Sequence, residues 1–147
     1  MKNLINKIIY FIKNNFYLLL LFGFFTVVLA VNVRINMFRY DNFDLGKFDL
    51  GNMNQMIYNT INGRFMYLTD YFGTNLPRWS MSHVDPILLI FIPLFLIFPH
   101  PMTIVYAQIL LILMSCFLVY KIALLHLKSK FVASVLGASY LVYPAVG

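Results

Sequence analysis

The sequence predicts an all-α membrane protein, with several helices crossing a bilayer and a helical loop outside it. Three observations carry that expectation. First, 61% of the 147 residues are of hydrophobic type and the mean hydropathy is +0.79. A soluble domain of this length leaves about a third of its surface wet, so such a composition asks for lipid as solvent. Second, Asn14 to Val33 and Pro101 to Tyr120 are each 20 residues without a charge; as helices each reaches about 30 Å, one hydrocarbon core. Third, all five acidic residues, Asp41, Asp44, Asp49, Asp70 and Asp85, lie in the one stretch between those runs.

Residues 1–13 place Leu4, Ile5, Ile8, Ile9 and Ile12 at helical spacing, with Lys2, Asn3, Asn6, Lys7 and Lys13 on the other face. This reads as an amphipathic segment on the cytoplasmic membrane surface. Residues 14–33 form the first transmembrane helix. Val28-Leu29-Ala30 also resembles a signal cleavage site, but the run is longer than a signal core and begins late, which favours a retained span. The three lysines before it put the amino terminus in the cytoplasm of a cell-membrane protein. Residues 34–85 then form an extracytoplasmic loop whose five aspartates are balanced by Arg34, Arg39, Lys47, Arg64 and Arg78.

Residues 86–98 are apolar, but 13 residues give only about 20 Å of helix; Pro93 interrupts the run and Pro99 ends it. If this stretch spans, the lysines at 121–130 fall outside. If it lies at the membrane edge or re-enters, residues 101–120 cross back and those lysines form a cytoplasmic loop. The lysine bias and the short length favour the second topology. A last apolar run, 131–147, reads as a truncated transmembrane helix and the chain as an N-terminal fragment of a longer one. The net charge of +6 does not indicate a nucleic-acid partner, because the lysines flank apolar runs instead of forming a patch.

The chemistry-bearing residues concentrate in the loop. Phe-Asp-Leu-Gly occurs at 43–46 and again at 48–51. Phe48, Met53, Met56, Ile57 and Ile61 predict a helix on the membrane surface, with Asp49, Asn52, Gln55 and Asn59 turned to water and an end at Asn62-Gly63. On a helix Asp41 and Asp44 stand about 60° apart, and Asp44 and Asp49 about 140°. Asp41 with Asp44 suits a shared proton or a divalent cation; helix capping explains the same spacing. Ser82-His83-Val84-Asp85-Pro86 suits a metal or an acceptor, or a helix start with Asp85 as cap and Pro86 in the first turn. Trp79, Tyr67 and Tyr71 suit a membrane-water belt. His100 and His126 carry no expected role, and Gln108 and Ser115 could pair with a neighbouring helix.

Phe43-Asp44-Leu45-Gly46-Lys47-Phe48-Asp49, then Asn59-Thr60-Ile61-Asn62-Gly63-Arg64-Phe65, then His83-Val84-Asp85-Pro86-Ile87-Leu88-Leu89, with Phe98-Pro99 and Tyr143-Pro144, resembles the domain of unknown function 2079 family of membrane proteins. That family in turn resembles the GT-C fold glycosyltransferases, such as protein mannosyltransferases and lipid A aminoarabinose transferases. The resemblance implies the N-terminal part of a GT-C-like fold and a polyprenyl-phosphate-linked sugar as donor. It implies an outer-loop aspartate that activates the acceptor or helps hold a divalent cation, magnesium or manganese. By position Asp44 is the counterpart of that aspartate, with Asp41 and Asp49 as rivals. Those enzymes usually show two adjacent acidic residues, and here Leu45 follows Asp44. His83 and Pro86 match the enzymes' histidine-proline step, and Arg64 or Arg78 could meet a lipid phosphate from outside. The other expectation is a non-catalytic transport or assembly subunit whose loop binds a protein partner.

Overall fold

The structure, a computed structural model, describes residues 2–45, 47–69, 73–80 and 85–143, and the side chains of all of these but 2 and 47–49. In chain order the elements are α1 (Lys2–Asp41), α2 (Lys47–Ile61), an antiparallel pair β1 (Tyr67–Thr69) and β2 (Asn75–Pro77), two 3-10 segments (Arg78–Ser80 and Pro86–Phe91), α3 (Ile92–Ile97), α4 (Met102–Leu127) and α5 (Lys130–Leu141). They form two compact units, Met1–Arg34 with Ile109–Gly147, and Ile35–Gln108.

α1 and α4 are long and apolar enough to cross a bilayer. At 40 residues α1 is about 60 Å long, twice a hydrocarbon core. The helix passes through both boundaries expected from charge, at residue 13 and at residue 34. The reason is local: Lys2 to Asp41 contains no proline and a single glycine, Gly23, and arginine and lysine are good helix residues. α4 likewise runs on through Lys121, so the loop expected over 121–130 shrinks to Lys128 and Ser129. A lysine does not end a helix; its stem lies along the apolar surface and carries the amine outward. α5 starts at Ser129, whose hydroxyl accepts from the Val132 N–H at 3.4 Å, and it ends at Leu141, short of the run expected to 147.

The first unit is held by one close approach. Leu21 of α1 is buried, as are Cys116 of α4 and Ala133 and Gly137 of α5. A Cβ on Gly137 would stand 3.0 Å from a Leu21 methyl and 3.1 Å from the Cys116 carbonyl oxygen. Where lipid surrounds helices, small residues let backbones meet and dispersion does the packing. Around that contact Phe25 and Phe117 sit 5.1 Å apart, and Tyr17 meets Phe131 edge-on at 5.7 Å. The Lys130 ammonium donates to the Asn14 carbonyl at 2.7 Å and to its side-chain oxygen at 2.8 Å. The α4–α5 turn therefore stands beside the segment that carries Lys7 and Lys13.

In the second unit α2 is the organiser. Met56 and Ile57 are buried with Met66, Leu68, Leu88 and Phe95, so the apolar face of α2 is covered by protein and is not free to rest on a membrane surface. The polar residues expected in water do structural work. The Gln55 amide donates to the Thr69 hydroxyl at 2.7 Å and its oxygen accepts the Thr69 N–H at 3.1 Å. Asn59, 5% exposed, donates to the Tyr67 carbonyl at 2.8 Å. These bonds occupy backbone groups that a two-stranded hairpin leaves open. Pro86–Ile97 is a 3-10 turn followed by α3, about 20 Å long. Leu88 and Phe95 face the core, while Ile87, Ile90, Leu94 and Ile97 are exposed.

Replacing Gly137 by alanine should lower stability by about 1–3 kcal/mol, because the Cys116 carbonyl cannot step aside cheaply. Gly23→Ala, whose new Cβ meets nothing within 4 Å, should be neutral or gain about 0.5–1 kcal/mol. Unfolding of the chain in mixed micelles, followed by helical circular dichroism, reads both; an equal response would remove the close-contact account.

Candidate functional site

The site is built on the end of α1. Asn42 donates its side-chain amide to the Phe38 carbonyl at 2.7 Å. The Phe43 N–H then bonds the Tyr40 carbonyl at 3.0 Å and the Asp44 N–H bonds the Arg39 carbonyl at 2.7 Å. This crossed pair is the Schellman closure, which needs a left-handed residue. Phe43 takes that role at φ 57°, where a side chain costs about 1–2 kcal/mol. α2 ends in the same way with Gly63 at φ 81°, through Gly63 N–H to Thr60 at 3.2 Å and Arg64 N–H to Asn59 at 2.8 Å.

That closure separates the two aspartates expected to act together. Asp41 sits in the last turn of α1, whereas Asp44 lies beyond it, so the 60° helical spacing does not apply. The Asp44 side chain is 75% exposed and 3.7 Å from the Arg39 guanidinium. Asp41 instead lines a cavity of about 510 Å³ with Tyr40, Phe43 and Leu45, facing Leu50, Gly51 and Asn54 of α2 and Pro101 before α4. The Asn54 Oδ1 is buried with no hydrogen-bond partner among the described residues, an unmet acceptor that costs about 1–3 kcal/mol when nothing fills it. Gly51, in the second turn of α2, is exposed, and among the described residues a Cβ on it would meet nothing within 4 Å.

The cavity thus brings Asp41 and Asn54 together with two aromatic residues and an apolar wall. A few polar groups in an apolar pocket is the usual form of a small-molecule site. Among the described residues no three His, Cys, Asp or Glu side chains come together. His83 and the side chain of Asp49 lie outside the described residues. Arg64 is exposed. Arg78 is not free: its Nε meets the Asp85 carboxylate at 3.2 Å, with the two side chains 18% and 34% exposed. Asp85 keeps the N-cap backbone position before Pro86, but its side chain makes no cap bond.

Tyr40, Gly51, Asn54 and Pro101 were not legible as site residues. The one signal was helical: Leu50, Gly51 and Asn54 share a face at spacings of one, three and four residues. His100 acquires a structural role, accepting the Met102 N–H at 3.2 Å with its ring 5.3 Å from Tyr40.

A family model described as predicted membrane protein (DUF2079) matches residues 39–147. The chain belongs to that family. The match starts at Arg39, where α1 closes, so every residue that lines the cavity falls within the DUF2079 region. No curated protein and no solved structure matches the chain.

Phe43→Gly should remove the left-handed penalty and raise stability by about 1 kcal/mol. Gly63→Ala should lower it by a similar amount, about 1 kcal/mol. Chemical denaturation of the two variants beside the parent chain tests the pairing; loss of stability in Phe43→Gly would contradict the closure described.

Proposed function

We propose that this chain is part of a multi-pass, GT-C-like glycosyltransferase of the cell membrane that transfers a sugar from a polyprenyl-phosphate donor at the outer face. The observation that carries the reading is the cavity at the end of α1, with one carboxylate, one unmet amide oxygen and aromatic walls. The topology draws support from the Lys130–Asn14 bonds, which gather both lysine groups at one end of the first unit, as the positive-inside rule requires of a cytoplasmic face. Tyr40 and Asp41 follow the apolar run of α1 on the side away from Asn14, so on this reading they are outside.

In the proposed reaction Asp41 accepts the proton of the acceptor hydroxyl. The acceptor oxygen forms the new bond to the anomeric carbon, the bond from that carbon to the phosphate oxygen breaks, and polyprenyl phosphate leaves with the electron pair. A well-placed base contributes about 10²–10⁴-fold. Asn54 would bond sugar hydroxyls, and the Tyr40 and Phe43 rings would bound the sugar faces. Asp41 thus replaces Asp44 as the first residue to test, and no step is assigned to a cation.

Transfer from a polyprenyl-phosphate sugar should fall by about 10²-fold or more in Asp41→Asn, and change little in Asp44→Asn. Gly51→Leu should block sugar-lipid binding while the chain stays helical. Full activity in Asp41→Asn would end the catalytic assignment. Sugar-lipid binding lost in Gly51→Leu, with no turnover in any chain, would favour the non-catalytic transport or assembly reading.

A further inference from the structure

A second cavity lies in the first unit, remote in sequence from the aspartate site. It is a groove of about 370 Å³ between Leu18, Leu19 and Phe22 of α1 and Phe117, Tyr120 and Lys121 of α4. Its wall is apolar apart from Lys121, whose side chain is exposed. Every acidic residue of the chain falls between Asp41 and Asp85, so the first unit contains no carboxylate side chain, and Lys121 has no internal counter-ion there.

The groove sits near the lysine-bearing end of the first unit. Lys130 bonds Asn14 and so brings the two lysine groups together there. Leu18 lies about 6 Å along α1 from Asn14, and Lys121 about 9 Å inside the end of α4. A lysine that flanks an apolar run extends its stem along the apolar surface and carries its ammonium toward the headgroups.

We infer that this groove binds an anionic phospholipid, one acyl chain lying against Leu18, Phe22 and Phe117 and the phosphate paired with Lys121. Charge complementarity selects an anionic lipid over a zwitterionic one, because the amine of a zwitterionic headgroup would face this lysine with no carboxylate beside it. The site is independent of the sugar-transfer reading and needs no residue of it.

Native mass spectrometry of the chain, with phosphatidylglycerol or phosphatidylcholine of the same acyl chains added, tests it. The chain should retain one phosphatidylglycerol about fivefold better than phosphatidylcholine, the effect of one basic residue at a lipid surface. Lys121→Gln should abolish that preference, Lys121→Arg should keep it, and Leu19→Trp, which fills the groove, should cut retention of both lipids. Lys128→Gln, at the same end but outside the groove, should leave the preference intact. Equal retention of the two lipids, or an equal loss in Lys128→Gln, would overturn the site. So would a dimer that Leu19→Trp dissolves without any bound lipid, which would assign the groove to a second copy of the chain.

Discussion

The aspartate-rich side of this protein depends on where α1 stops. A helix of 40 residues with no breaker in its sequence has to be ended by something stronger than propensity. Here it is the crossed pair of backbone bonds around Phe43. Ending at Asp41 leaves Asp41 lining the cavity and sends Asp44 out to Arg39. The left-handed phenylalanine is an expense that the second helix end avoids with Gly63. Strained backbone of this kind tends to occur beside binding sites, and Phe43 is itself part of the cavity wall.

How far the sequence was legible follows from the same physics. Uninterrupted apolar runs marked α1 and α4, Pro86 and Pro93 marked a short helix, and Asn62-Gly63 marked the end of α2, because each is a local backbone rule. The end of α1 was not legible, since its left-handed position carries phenylalanine where glycine or asparagine is expected. Gln55 and Asn59 were misread for a different reason. A polar residue facing a strand edge and one facing water produce the same helical pattern, and only the position of Tyr67 and Thr69 tells them apart. Lys121 was read as the edge of a span; the helix itself runs on to Leu127, because a lysine does not end a helix.

The pairing of Arg78 with Asp85 bears on how the loop is held. Both residues had candidate roles toward ligands, and each is instead the other's partner at 3.2 Å, partly shielded. The bond joins Arg78, just after β2, to Asp85 at the start of the Pro86 segment. Partial burial makes such a pair a source of specificity more than of stability. It also leaves Arg64 as the exposed guanidinium of this region that the sequence reading had matched to a phosphate.

Three glycines show how much of this structure is decided by the absence of a side chain. At Gly137 the missing Cβ lets α5 come against Leu21 and the Cys116 carbonyl; any addition there meets backbone. At Gly63 it is the dihedral angle that matters, and nothing crowds the residue. At Gly51 neither reason holds. The residue is helical and a Cβ would point into open space, so folding alone would favour alanine by about 0.5–1 kcal/mol. Gly51 and Asn54 both line the cavity that Asp41 borders, and the Asn54 oxygen is buried without a partner among the described residues. Two features that each weaken the fold thus fall on the same wall.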